Sequence, residues 1–204
     1  MERPVGEKLI TSRAAFEGKL LSLTVDEVAL ADGRRAVREV VHHPGAVAIV
    51  ALLPGARVVM IRQYRHAAGK VLFELPAGII GSGEPPEDCA RRELVEETGY
   101  RAGELRLLFS TYLSPGYSTE IIHVFCATDL DPGAAAPEED EEIEVMALPL
   151  EEAAAMVGNG LVENGAAICG ILAVWREFQT RGDLAGERDD GCRRSDRRTN
   201  RGCD

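Results

Sequence analysis

Residues 78–100 read GIIGSGEPPEDCARRELVEETGY, a glycine-rich segment that runs into a helical pattern. Its first six residues contain three glycines and no regular apolar spacing, which predicts a loop over 78–83. From Pro86 the pattern becomes helical. Proline suits the first turn, where a backbone N–H has no partner to lose. Glu87 and Asp88 favour the positive end of the helix dipole. Gly99 suits the position just past the last turn, where the backbone turns left-handed. A helix is therefore predicted over 86–98. Ala90 and Leu94 give it a core-facing stripe, while Glu93, Glu96 and Glu97 fall at i, i+3 and i+4 on one face.

Three carboxylates at that spacing repel one another. A solvated acidic face is the ordinary reading of such a triplet. The chemical reading is that a hard divalent cation relieves the repulsion. Magnesium takes oxygen ligands and keeps water and substrate phosphates in its remaining positions. Arg92 then serves to hold a carboxylate in place.

Upstream of this helix the pattern is β. Residues 20–30 and 36–41 read as a hairpin around an Ala31-Asp32-Gly33 turn, and 46–53 is a continuous apolar run fit for a strand covered on both faces. Another strand starts at Val58 and runs into Arg62-Gln63-Tyr64-Arg65. Downstream, 105–112, 120–128 and 143–148 read as strands. The 129–140 segment reads as a loop, and 150–157 and 164–179 read as helices. Residues 181–204 carry seven arginines and six acids with almost nothing apolar, so a disordered polar tail is expected there.

Composition bounds the function. The chain has 204 residues and a formal net charge of -11, which argues against a broad nucleic-acid footprint. No apolar run approaches a membrane span, and residues 1–8 lack the apolar core of a secretory signal. The five cysteines are scattered, without a C-x-x-C pair, as expected for thiols in a reducing cytoplasm rather than a zinc site.

The spacing Gly78-x5-Glu84-x7-Arg92-Glu93-Leu94-x-Glu96-Glu97-x-Gly99 resembles the signature box of the Nudix hydrolases. Only its last position departs, with Tyr100 where an aliphatic residue is usual. The resemblance reaches outward over about 20–179. Glu74-Leu75-Pro76-Ala77-Gly78, Gln63-Tyr64-Arg65, Ser114-Pro115-Gly116 and Glu141-Glu142-Ile143-Glu144-Val145 are similar to segments of the ADP-ribose pyrophosphatase subfamily. Each has a plainer reading alone: Pro115-Gly116 is an ordinary turn pair, and the acidic run 138–144 is an ordinary solvated face.

The resemblance implies an α+β fold, an α/β/α sandwich with a mixed sheet between helices and an N-terminal antiparallel hairpin extension. It implies an extension over 1–44 used for homodimer formation, a hydrolase domain over 45–180 and the tail over 181–204. The implied reaction is metal-dependent hydrolysis of the pyrophosphate of ADP-ribose to AMP and ribose 5-phosphate, with Mg2+ as cofactor and Mn2+ as a substitute. Glu93, Glu96, Glu97 and the Ala77 carbonyl are the implied metal ligands. Glu141 is the implied base, with Glu142 as its runner-up and Glu96 as a further candidate. Arg65, Glu74, Ser118 and Glu120 are implied substrate contacts, and Gly78, Glu84, Arg92, Gly99 and Pro115 are implied supports. No adenine platform stands out, since Trp175 lies in a helix that reads as core. Two rivals stay open: a pyrophosphatase for another nucleotide sugar such as GDP-mannose, and a catalytically silent nucleotide sensor.

Overall fold

A computed structural model of the chain describes residues 6–136 and 142–189, with side chains through residue 180. The centre is a seven-stranded mixed sheet in the order β10-β5-β4-β9-β8, with β6 added beside β5 and β7 beside β4. Its strands are β4 (Ala46–Leu53), β5 (Arg57–Arg65), β6 (Lys70–Glu74), β7 (Ala77–Ile79), β8 (Arg101–Tyr112), β9 (Ile121–Asp131) and β10 (Ile143–Pro149). The β4–β9 pair is parallel and the other pairs are antiparallel.

The apolar run at 46–53 is the organising strand. Successive side chains of a strand point to opposite faces. Val47, Ile49 and Ala51 accordingly pack with Cys89, Ala90 and Leu94 of α1 (Pro86–Thr98). Ala48, Val50 and Leu52 pack on the other side with Ala153 of α2 (Leu150–Gly158) and with Ala167, Ile171 and Val174 of α3 (Gly165–Asp189). The result is the helix–sheet–helix sandwich that was expected. On α3, Gly170 allows the closest approach: a Cβ there would lie 2.9 Å from both Leu75 and Val50.

The helix α1 has the bounds its sequence predicts. Pro86 opens it, and Gly99 closes it at φ 77° with its N–H donating to the Val95 carbonyl. Elsewhere the structure departs from expectation. Residues 78 and 79, expected within a loop over 78–83, belong instead to β7, which pairs with β4. The N-terminal hairpin, β2 (Ser22–Leu30) with β3 (Arg35–His42), gains a third strand, β1 (Glu7–Glu17), in a separate antiparallel sheet. Arg38 of β3 pairs with Glu7 of β1 to tie the outer strands together. Strand β9 runs to Asp131, and α3 runs to Asp189, so the first nine residues of the expected tail are helical.

Candidate active site

The sheet, α1 and the loops at one end of the fold enclose a cavity of about 870 Å³. Glu84, Arg92, Glu93 and Glu96 border it on the α1 side. Arg65 and Glu74 border it from the β5–β6 hairpin, and His43 and Glu120 from the linkers that precede β4 and β9.

Arg92 organises the acidic side. Its Nε and one terminal nitrogen donate to the two oxygens of Glu84 at 2.9 and 3.0 Å. Its other terminal nitrogen donates to Glu93 at 2.7 Å and Glu96 at 2.8 Å. The Gly81 N–H also donates to Glu84 at 2.8 Å. Arg92 first, then this N–H, holds the Glu84 carboxyl well below its ordinary 4.5, at about 2. The contacts with Glu84 raise the Arg92 pKa in turn, so the guanidinium is permanently charged. Beside it, burial pushes the Cys89 thiol up to about 12, which leaves it an inert packing group.

Glu93 sits directly over Gly78. A Cβ at position 78 would lie 1.8 Å from Glu93 Cδ, so only glycine leaves room for the carboxylate. Glu97 lies deeper, 2% exposed, and accepts a 2.9 Å hydrogen bond from the Ala77 N–H. The strand β7 and helix α1 are thus joined through the Glu97 carboxylate. Ala77, expected to offer its carbonyl, is fastened here through its N–H. Among the described residues no three His, Cys, Asp or Glu groups form a ready-made metal cage.

Glu74, which borders the same cavity, is 1% exposed. Both its oxygens accept from Arg65, at 2.7 to 3.2 Å. The Arg65 side chain keeps 40% of its surface exposed. A buried carboxylate therefore aims a partly open cation at the cavity.

The Pro115 loop works as a fastener. Tyr117 and Ser118 donate their N–H groups back to the Ser114 carbonyl. Val41 donates to the Tyr117 carbonyl and accepts from Thr119, which joins the end of β3 to this loop. Ser118 Oγ accepts from the Glu120 N–H at 3.1 Å. Ser118 and Pro115 lie outside the cavity lining, and they shape the turn that presents Glu120 to it.

The family model for the NUDIX domain matches residues 42–164, which contain Arg65, Glu74, Glu120 and the carboxylates of α1. The chain belongs to the Nudix family. Among curated relatives of this Nudix chain, the ADP-ribose pyrophosphatase of Bacillus subtilis is 42% identical over 153 residues, covering 74% of this chain and 83% of the relative. The methanol dehydrogenase activator of Bacillus methanolicus is 42% identical over 149 residues, covering 72% and 80%. The ADP-ribose pyrophosphatase of Mycobacterium tuberculosis is 41% identical over 169 residues, covering 81% of each. The Nudix fold itself is matched by a crystal structure of an ADP compounds hydrolase, with a TM-score of 0.76, 21% identity, and coverage of 86% of this chain and 96% of the other.

Of the residues singled out in the sequence, Arg65, Glu74, Ala77, Gly78, Glu84, Arg92, Glu93, Glu96 and Glu120 border one cavity, while Glu97, Gly99, Pro115, Ser118 and Glu142 do not. Glu142 is exposed and borders a separate depression of about 350 Å³ with Arg62, Tyr64, Val71, Ile143 and Glu144. It is not among the residues that border the cavity of the α1 carboxylates. Glu141 lies outside the described residues. The sequence reading missed His43, Leu72, Leu113 and Asn164, which also border the cavity. None belongs to a spaced motif, and only the folded chain brings them together.

Proposed function

We propose that this protein hydrolyses the pyrophosphate bond of ADP-ribose to AMP and ribose 5-phosphate. The observation that carries the reading is the cavity that both the α1 carboxylates and the Arg65–Glu74 pair border. Such a space suits a substrate with two phosphates between polar, hydroxyl-bearing groups. The choice of ADP-ribose draws support from the two ADP-ribose pyrophosphatases among its relatives.

The residues divide the work. Arg65, held by Glu74, takes phosphate oxygens. Glu93 and Glu96 on the cavity wall, Glu97 behind them and the Ala77 carbonyl would hold magnesium, for which manganese can stand in. The donor set fits: all are hard oxygen donors, and Gly78 leaves Glu93 its space. When bound, a divalent cation neutralises phosphoryl charge and makes water a better nucleophile. Water oxygen bonds to one phosphorus, the bridging P–O bond breaks, and the leaving phosphate keeps the electron pair. The proton goes to a carboxylate. Glu141 in the acidic loop and Glu96 in the cavity are the two candidates, which parallel Glu141→Gln and Glu96→Gln variants separate by kcat.

Two copies pair through the N-terminal sheet in this reading. It leaves Leu9, Phe16 and Val37 more than half exposed. Light scattering is expected to give the mass of two chains, and the mass of one chain contradicts the pairing.

The substrate reading is tested by turnover of ADP-ribose and GDP-mannose, measured side by side with Mg2+ and with Mn2+. A higher kcat/KM for ADP-ribose is expected. A tenfold preference for GDP-mannose overturns the substrate choice. Binding of ADP-ribose without AMP release overturns the enzymatic reading in favour of a silent sensor.

A further inference from the structure

His43 lies in Val41-His42-His43-Pro44, where nothing in the sequence distinguishes it. In the fold it is fixed from both sides. Its N–H donates to Thr119 Oγ1 at 3.0 Å, and its ring Nδ1 accepts from the Gly45 N–H at 3.0 Å. An accepting Nδ1 carries no proton, so the neutral ring carries its proton on Nε2.

Nε2 forms no hydrogen bond among the described residues. Among the described residues the buried unpartnered side-chain atoms are Arg62 Nε and Gln63 Oε1, and Nε2 is not one of them. It therefore reaches open space. The His43 side chain is only 10% exposed, and the space it borders is the substrate cavity. Glu120 borders the same cavity, with Oε1 3.9 Å from His43 Nδ1. The loop hydrogen bonds at Val41, Ser118 and Thr119 hold the two side chains together.

A fixed N–H donor beside a carboxylate acceptor is the complement of a hydroxyl, which accepts from one and donates to the other. The α1 carboxylates and Arg65 are occupied with phosphate chemistry, so this pair is left to face a sugar. The geometry points to His43, paired with Glu120, as a specificity-determining residue that donates through Nε2 to a ribose hydroxyl of the substrate. This rests on the proposed ADP-ribose hydrolysis and names the group that recognises the sugar. A purely structural role for His43, bracing the chain at Gly45, predicts no dependence on the sugar.

The test compares the full-length wild type with His43→Ala and His43→Gln. Gln places an amide N–H near the position of Nε2. The substrates are ADP-ribose, its 2′-deoxyadenosine analogue, and analogues with one hydroxyl removed from the terminal ribose. Wild type is expected to prefer ADP-ribose over one deoxy analogue by about tenfold or more in kcat/KM. In His43→Ala that preference collapses to within about twofold, through KM more than kcat, and His43→Gln restores part of it. The analogue that loses its penalty identifies which ribose is read. Equal losses on every substrate in both variants, or an unchanged preference, overturn the proposal. Failure of wild type to turn over ADP-ribose at all is a different result: it removes the parent reading.

Discussion

A Cβ on Gly78 would stand 1.8 Å from Cδ of Glu93, closer than any nonbonded pair can approach. The glycine is therefore a steric requirement of the carboxylate above it. Its own backbone is not in the left-handed region, so alanine is acceptable there to the chain itself. Gly78→Ala is expected to displace Glu93 and lower kcat by about a hundredfold, as a misplacement of roughly 1 Å does. The melting temperature should move by only a few degrees, roughly the effect of 1 kcal/mol. Steady-state kinetics beside a thermal melt checks this, and a near-normal kcat contradicts it.

Glu84 supplies a pH prediction. Its pKa in the fold, about 2, lies below its ordinary 4.5, so ionised Glu84 favours the folded state. That contribution is complete above about pH 5 and is lost as pH falls from there toward about 2. The stability gap between wild type and Glu84→Gln should narrow over that window. The side chain is 21% exposed, so added salt should shrink the gap as well. Urea midpoints measured without divalent cation at about pH 6, 4.5 and 3 give the answer. A gap that stays constant with pH contradicts the assignment.

How much of this was legible beforehand depends on how local the cause is. The helix α1 was readable to the residue because Pro86 and Gly99 act on their own neighbours. Strand β4 was readable because both its faces are buried, giving an unbroken apolar run. Strand β1 escaped because all of its residues are exposed and no apolar face marks it. The three residues of β7 are too few to show a period. The acidic run 138–144 offers several carboxylates, and their spacing alone does not rank them. The pairing of Ile143 with Gln63 sends Glu142 to another depression. His43 reaches the site through hydrogen bonds to a loop some 76 residues away, which no local pattern encodes.

Arg65 and Glu74 should behave as a unit. Glu74 is buried and gives both oxygens to Arg65, so Arg65→Ala strands a buried carboxylate. The expected cost is about 1–3 kcal/mol of stability, together with a raised KM. Glu74→Gln keeps the shape but loosens the guanidinium, so KM rises while stability changes less. A double-mutant cycle in urea measures the coupling. Additive effects contradict the idea that one side chain positions the other.

The buried end of the α1 carboxylate cluster is expected to serve chemistry rather than folding. Glu97 is 2% exposed and accepts from the Ala77 N–H, a bond that the side-chain oxygen of glutamine can also accept. The most direct measurement is the initial rate of AMP release from ADP-ribose with Mg2+, for wild type beside Glu97→Gln of matched stability. Wild type should release one AMP per ribose 5-phosphate, and the variant should be slower by about 10²-fold or more. Near-normal release by Glu97→Gln, or none by wild type, would contradict the account.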